Sequence, residues 1–112
     1  MHELSIAMGI VAIAEKEAKK AQAGEIKAID LEIGTLSGIE IDSLNFAWPM
    51  AIAGSVLEKA EKRIHIIPAK AKCLECDHIY EIENLFDECP VCGSHFKDIF
   101  QGKEMRVKSI EI

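Results

Sequence analysis

The chain has 112 residues, about one domain's length, which excludes two large domains and allows one modest core burying roughly two thirds of the unfolded surface. Hydrophobic residues make up 49% and charged residues 29%, a globular composition, and no apolar run reaches the roughly 18 residues of a membrane span. With 13 basic and 19 acidic residues the formal charge is −6, the wrong sign for gripping a phosphate backbone, so neither nucleic acid nor membrane is an expected partner.

From Leu4 to Ala21, the residues Leu4, Ala7, Met8, Val11, Ala14, Ala18 and Ala21 recur at three- and four-residue steps, predicting a first helix. Glu3 suits its positive end, Lys19 and Lys20 its negative end, and Gly24 is the expected left-handed terminator. A second row, Ile6, Ile10 and Ile13, widens the apolar face. The stretch begins with His2 and Glu3 rather than the basic residues of a signal peptide, so it is read as mature, cytoplasmic protein.

Ile29, Leu31 and Ile33 alternate with Ala28, Asp30 and Glu32, a strand with one wet face. A second helix is expected after Asp42 or Ser43, carrying Leu44, Phe46, Ala47, Met50 and Ile52 up to Gly54; Pro49 should kink or restart it near Trp48. Ile64 to Ile67 form a second strand before Pro68. Met105 to Ile112 form a last strand whose apolar parity changes near Ser109. The pattern predicts an α+β fold, a small three-stranded mixed sheet packed on two helices. Strands one and two are either parallel neighbours or separated by the last strand.

Between the second and last strands, Cys73-Leu74-Glu75-Cys76 and Cys89-Pro90-Val91-Cys92 are two Cys-x-x-Cys pairs 12 residues apart, the ligand spacing of an inserted four-cysteine zinc ribbon. Each two-residue gap lets both sulfurs reach one ion while backbone N–H groups point at them, and Gly93 suits the turn. Two disulfides, or iron in a rubredoxin-like site, are the competing readings. Four thiolates leave no open coordination position, so the Zn(II) is structural. Six carboxylates and no Lys or Arg lie between Cys73 and Cys92, which suits a basic protein surface or a solvated loop. His78 and His95 follow the two pairs closely and either replace thiolates as the pH falls or are ordinary surface histidines.

The start Met1-His2-Glu3 is a second ligand set. The terminal amine of Met1, the amide nitrogen of His2 and its Nδ1 close two chelate rings in one plane. A fourth donor, from Glu3 by its backbone amide or carboxylate or from elsewhere in the chain, would complete the square-planar geometry of Ni(II) or Cu(II).

These residues, with Ile33-Gly34-Thr35-Leu36-Ser37-Gly38, Leu44-Asn45-Phe46-Ala47, both cysteine pairs and Gln101-Gly102-Lys103-Glu104-Met105-Arg106, resemble the HypA/HybF nickel metallochaperones of NiFe-hydrogenase maturation over the whole chain. The resemblance implies a nickel-binding α/β domain over 1–70, completed by 98–112, and a zinc ribbon over 71–97. It implies Ni(II) as cargo bound through the N-terminus with His2 essential; beside it, the residues themselves offer the Met1 amine and Glu3 as further donors and Glu40, in a loop that could approach the terminus, as a weaker candidate. Delivery would involve a HypB-type GTPase and the hydrogenase large subunit, with urease an alternative client. No nucleophile with a neighbouring base and no P-loop is identifiable, so no enzymatic activity is expected. The apolar first helix and an edge strand leave room for a homodimer. The contrasting reading is a zinc-ribbon adaptor that binds protein or nucleic acid and uses no nickel.

Overall fold

The computed structural model describes residues 2–112, so Met1 and the terminal amine expected to ligate nickel lie outside the described residues. In chain order the elements are α1 (His2–Lys20), β1 (Ala28–Gly34), α2 (Ile41–Ile52), β2 (Glu61–Ile67), β3 (Ala69–Cys73), β4 (Ile79–Ile82), β5 (Lys97–Gln101) and β6 (Met105–Glu111). The chain packs as two compact units. One comprises the described residues through Leu31 with Ile39–Ile64 and Val107–Ile112; the other comprises Glu32–Gly38 and His65–Arg106.

In the first unit α1 buries Ala7, Ile10, Ala14 and Ala18. Ile10 thus belongs to the core stripe, while Met8, expected inside, is exposed because it lies about 115° around the helix from the centre of the stripe formed by Ala7, Ile10, Ala14 and Ala18. The helix ends on a Schellman motif: Ala23 N–H donates to Ala18 O (2.9 Å) and Gln22 N–H to Lys19 O (3.1 Å). Gln22, with φ +56°, takes the left-handed position expected at Gly24.

The partner helix α2 buries Leu44, Trp48 and Ala51 at steps of four and three. Phe46 and Met50, two of the apolar residues expected on this helix, therefore fall on the opposite face, 84% and 67% exposed. The helix starts from Glu40 rather than Asp42 or Ser43, and no side chain of its own caps it. Pro49 lies in its last turn, where it removes one amide close to the natural end, and the helix runs through it without restarting. Lys62 Nζ sits 5.0 Å from the Trp48 ring centroid and also bonds the Asn45 side chain.

The first sheet has the order β2-β1-β6. Glu61 N–H donates to Lys27 O and Thr35 N–H to Ile67 O, so β2 runs parallel to β1. Lys27 N–H donates to Glu111 O and Gly34 N–H to Glu104 O, so β6 runs antiparallel. The sheet is mixed as expected, with strands one and two as neighbours. In β6 both Lys108 and Ser109 are exposed, which changes the parity of the partly buried positions where expected.

The insert builds a sheet of its own, antiparallel in the order β4-β3-β5, which the sequence pattern did not reveal. In β3, Ala69, Ala71 and Cys73 face a core and Lys70 and Lys72 alternate outward. That core also holds Tyr80, Ile82 and Cys89, with Leu36 and Ile99 packed against it. Among the described residues, no helix is long and apolar enough to cross a membrane.

Candidate metal centres

Each cysteine pair sits on a backbone turn of the same design. Cys73 N–H donates to His78 O and Asp77 N–H returns to Cys73 O; in the second turn Cys89 N–H donates to Ser94 O and Gly93 N–H returns to Cys89 O. The residue after each pair has a left-handed backbone, Asp77 at φ +65° and Gly93 at φ +74°. Gly93 was legible from its lack of a Cβ, whereas Asp77 was not, although aspartate tolerates this region better than most residues.

The turns bring all four sulfurs within 4.8 Å of one another, with Cys73 Sγ 3.5 Å from Cys92 Sγ and Cys76 Sγ 3.6 Å from Cys89 Sγ. A tetrahedron with metal–sulfur bonds of about 2.3 Å has edges of about 3.8 Å, so the set fits one Zn(II)-sized ion. All four cysteines are free, with Cys73 and Cys89 buried and Cys76 and Cys92 exposed, so the disulfide reading finds no support in the geometry.

Backbone amides aim at these sulfurs. The N–H of His78 draws the Cys76 thiol down, but burial and the adjoining sulfurs outweigh it and hold it at about 12. Burial pushes the Cys89 thiol up, and the N–H groups of Cys92 and Val91 together with the neighbouring thiols more than offset this, leaving it at about 7. A metal that takes the four sulfurs as thiolates must displace the protons they hold.

Neither histidine joins the donor set. The His78 ring stacks on Tyr80 with centroids 6.1 Å apart, and His95 Nε2 lies 3.8 Å from Glu88. The acidic segment is partly self-organised: Asp87 accepts the N–H groups of Glu83 and Asn84, which holds its carboxyl below the ordinary range. The Tyr80 hydroxyl is buried with no hydrogen-bond partner among the described residues.

At the other candidate site, His2 opens α1, so its amide has no carbonyl one turn earlier to bond. Its Nδ1 lies 3.6 Å from Glu3 Oε2; the His2 side chain is 68% exposed and that of Glu3 only 12%. Glu3 Oε2 also accepts the Glu40 N–H at 3.3 Å, and this bond is the main reason its carboxyl lies below its usual range. The backbone of Glu40 is what meets Glu3, a contact across 37 residues with no local sequence signal. Beside it, Glu3, Leu4, Asp42, Ser43, Phe46 and Ala47 line a groove of about 360 Å³.

A sequence model of the family described as hydrogenase/urease nickel incorporation metallochaperone, HypA, matches residues 1–112. The chain is similar to the hydrogenase maturation factor HypA of Parabacteroides distasonis, 48% identical over 112 residues, covering 100% of this chain and 97% of that protein. The solution structure of the nickel metallochaperone HypA from Helicobacter pylori matches with a TM-score of 0.70 and 28% identity, covering 98% of this chain and 96% of that one. A second solution structure, of a HypA protein, matches with a TM-score of 0.74 and 31% identity over 100% of this chain and 96% of its own.

Proposed function

Because the chain belongs to the HypA family of hydrogenase and urease nickel-incorporation metallochaperones, we propose that it binds one Ni(II) as cargo at its N-terminus and delivers it to a NiFe-hydrogenase precursor. The donors are the terminal amine of Met1, the amide nitrogen and Nδ1 of His2, and Glu3. The observation that carries this reading is the approach of His2 Nδ1 to Glu3 Oε2, 3.6 Å apart on the opening turn of α1. The amides of that turn have no helical acceptor, so a metal that displaces the His2 amide proton breaks no helix bond. The exposed imidazole leaves the cargo open to protonation or capture by a partner, which a carrier requires.

Cys73, Cys76, Cys89 and Cys92 hold one Zn(II), whose closed thiolate shell makes it structural. In this reading the nickel-binding domain is 1–70 completed by 98–112, and the zinc ribbon is 71–97. The chain acts in the cytoplasm without catalysis of its own. A HypB-type GTPase and the hydrogenase large subunit are its partners, and homodimerisation is open to it.

The test is native mass spectrometry of the tag-free chain, with Met1 confirmed, during Ni(II) titration beside His2→Ala. One zinc as purified and one nickel that the variant loses is the expected result. One zinc without His2-dependent nickel would instead leave a zinc-ribbon adaptor.

A further inference from the structure

The helix pair of the first unit carries apolar surface that its core does not use. Leu4 on α1 and Phe46 and Ala47 on α2 line the groove of about 360 Å³ beside Glu3. Glu3 meets the Glu40 amide at one end of the pair, and Val56 N–H donates to Glu15 Oε1 (3.0 Å) at the other, so α1 and α2 run side by side in the same direction. Met8 and Met50 stand one turn beyond Leu4 and Phe46, and both are exposed, so they carry the two walls of the groove further along the pair.

The rim is acidic. Glu3 and Asp42 flank the groove and Glu40 adjoins Glu3, while neither Lys nor Arg occurs before Lys16 or from Ala28 to Glu58. Lys62 bonds the Asn45 side chain, about 150° around α2 from the side that Phe46 and Ala47 share. Contiguous large apolar side chains ringed by one sign of charge mark an interaction surface, and the charge selects a partner of opposite sign. A phosphate backbone or an anionic lipid surface would be repelled. Two helices offer side chains rather than a free strand edge, and walls that repeat once per turn fit the evenly spaced anchors of another helix. Methionine, unbranched and polarisable, is well suited to such a wall.

We propose that this groove docks an amphipathic helix of a partner protein, its apolar side chains between Leu4 and Phe46 and its flanks carrying Lys or Arg. Because Glu3 belongs both to the groove and to the opening turn of α1, the docked helix lies against His2, where cargo would change hands. Docking itself requires no nickel, so its failure and that of the cargo reading are separable.

The test is a titration of the nickel-free full-length chain, its methionine methyls labelled with carbon-13, with an amphipathic Leu/Lys peptide of about five helical turns and with its Leu/Glu counterpart. The Leu/Lys peptide should shift the methyls of Met8 and Met50 and leave that of Met105, on β6, in place. Phe46→Ser should weaken this binding at least about tenfold, as loss of an aromatic anchor does, and Asp42→Lys should weaken it as well. The Leu/Glu peptide should not bind. Absent binding, shifts that include Met105, or an affinity that Phe46→Ser leaves unchanged would overturn the proposal. So would Met8 and Met50 shifts that follow protein concentration without peptide, with a dimer in sedimentation that Phe46→Ser dissolves, since the occupant would then be a second copy of the chain.

Discussion

Glu3 Oε2 lies 3.3 Å from the amide nitrogen of Glu40, the residue that opens α2 with no side-chain cap of its own. The carboxylate of one helix thus does for another what the glutamate of a capping box does within one. Because the bond holds the Glu3 carboxyl below its ordinary 4.5, its stabilising effect is complete above the unfolded value and is lost as pH falls through the lower, folded one. The Glu40 amide resonance should therefore titrate with a midpoint below 4.5 and stop doing so in Glu3→Gln. A midpoint at or above 4.5 would contradict the assignment.

The two faces of α2 should respond oppositely to truncation. Leu44 is fully buried, and Leu44→Ala should cost about 2–5 kcal/mol through lost transfer energy and the cavity left behind. Phe46 is larger but exposed, and Phe46→Ala should stay within about 0.5 kcal/mol. Urea denaturation of the two variants decides, and comparable losses would mean that Phe46 packs somewhere unseen.

What the sequence disclosed followed how local the causes are. The sulfur cluster was legible because each turn is fixed within a few residues, and β1 because Ile29, Leu31 and Ile33 alternate plainly. The sheet of β3, β4 and β5 stayed hidden because its central strand reads Ala-Lys-Ala-Lys-Cys, with no β-branched residue and half its faces small. Gln22 displaced Gly24 at the end of α1 because the hydrogen bonds of the Schellman motif, rather than residue preference, placed the left-handed position. The Glu3–Glu40 bond was out of reach for any local reading, since it depends on how α1 and α2 pack.

Two glycines of the second unit are fixed by contact. A Cβ on Gly34 would run into the Gly102 carbonyl, and one on Gly102 would strike the Ala69 backbone. Gly102 also has φ +110°, a region closed to side chains. Neither obstacle is a flexible side-chain end, so Gly102→Ala should destabilise by at least about 2 kcal/mol through strain and overpacking together. Gly24→Ala, with nothing near its Cβ, is the control and should be close to neutral. Equal melting temperatures would show that the backbone around Gly102 yields.

Asp87 accepts the N–H of Glu83 at 2.7 Å and that of Asn84 at 3.3 Å, which ties down the acidic segment between the cysteine pairs. Both bonds favour the charged form, so the folded value lies below 3.8, and the support they give is present above the unfolded value and fades as pH falls through the folded one. In Asp87→Asn the acceptor is weaker at every pH. Amide exchange at Glu83 and Asn84 should quicken several-fold at neutral pH, without the acid-dependent loosening of the wild type. Unchanged exchange would mean that other contacts hold the segment.

Removing the ion should act on the packing as well as the turns, because Cys73 and Cys89 are core members beside Tyr80 and Ile82. Zinc sites of this ligand type contribute on the order of 10 kcal/mol to folding, far more than the few small side chains around these sulfurs. Chelation should open residues 73–97 to protease while the Leu44 core of the first unit stays closed. Cys76→Ser and Cys92→Ser should mimic chelation, since both cysteines are exposed. Cys73→Ser and Cys89→Ser should be worse than chelation, since each adds a buried hydroxyl that needs a partner. Limited proteolysis of the four variants beside the chelated wild type would read this order, and full resistance after chelation would show that the turns stand without metal.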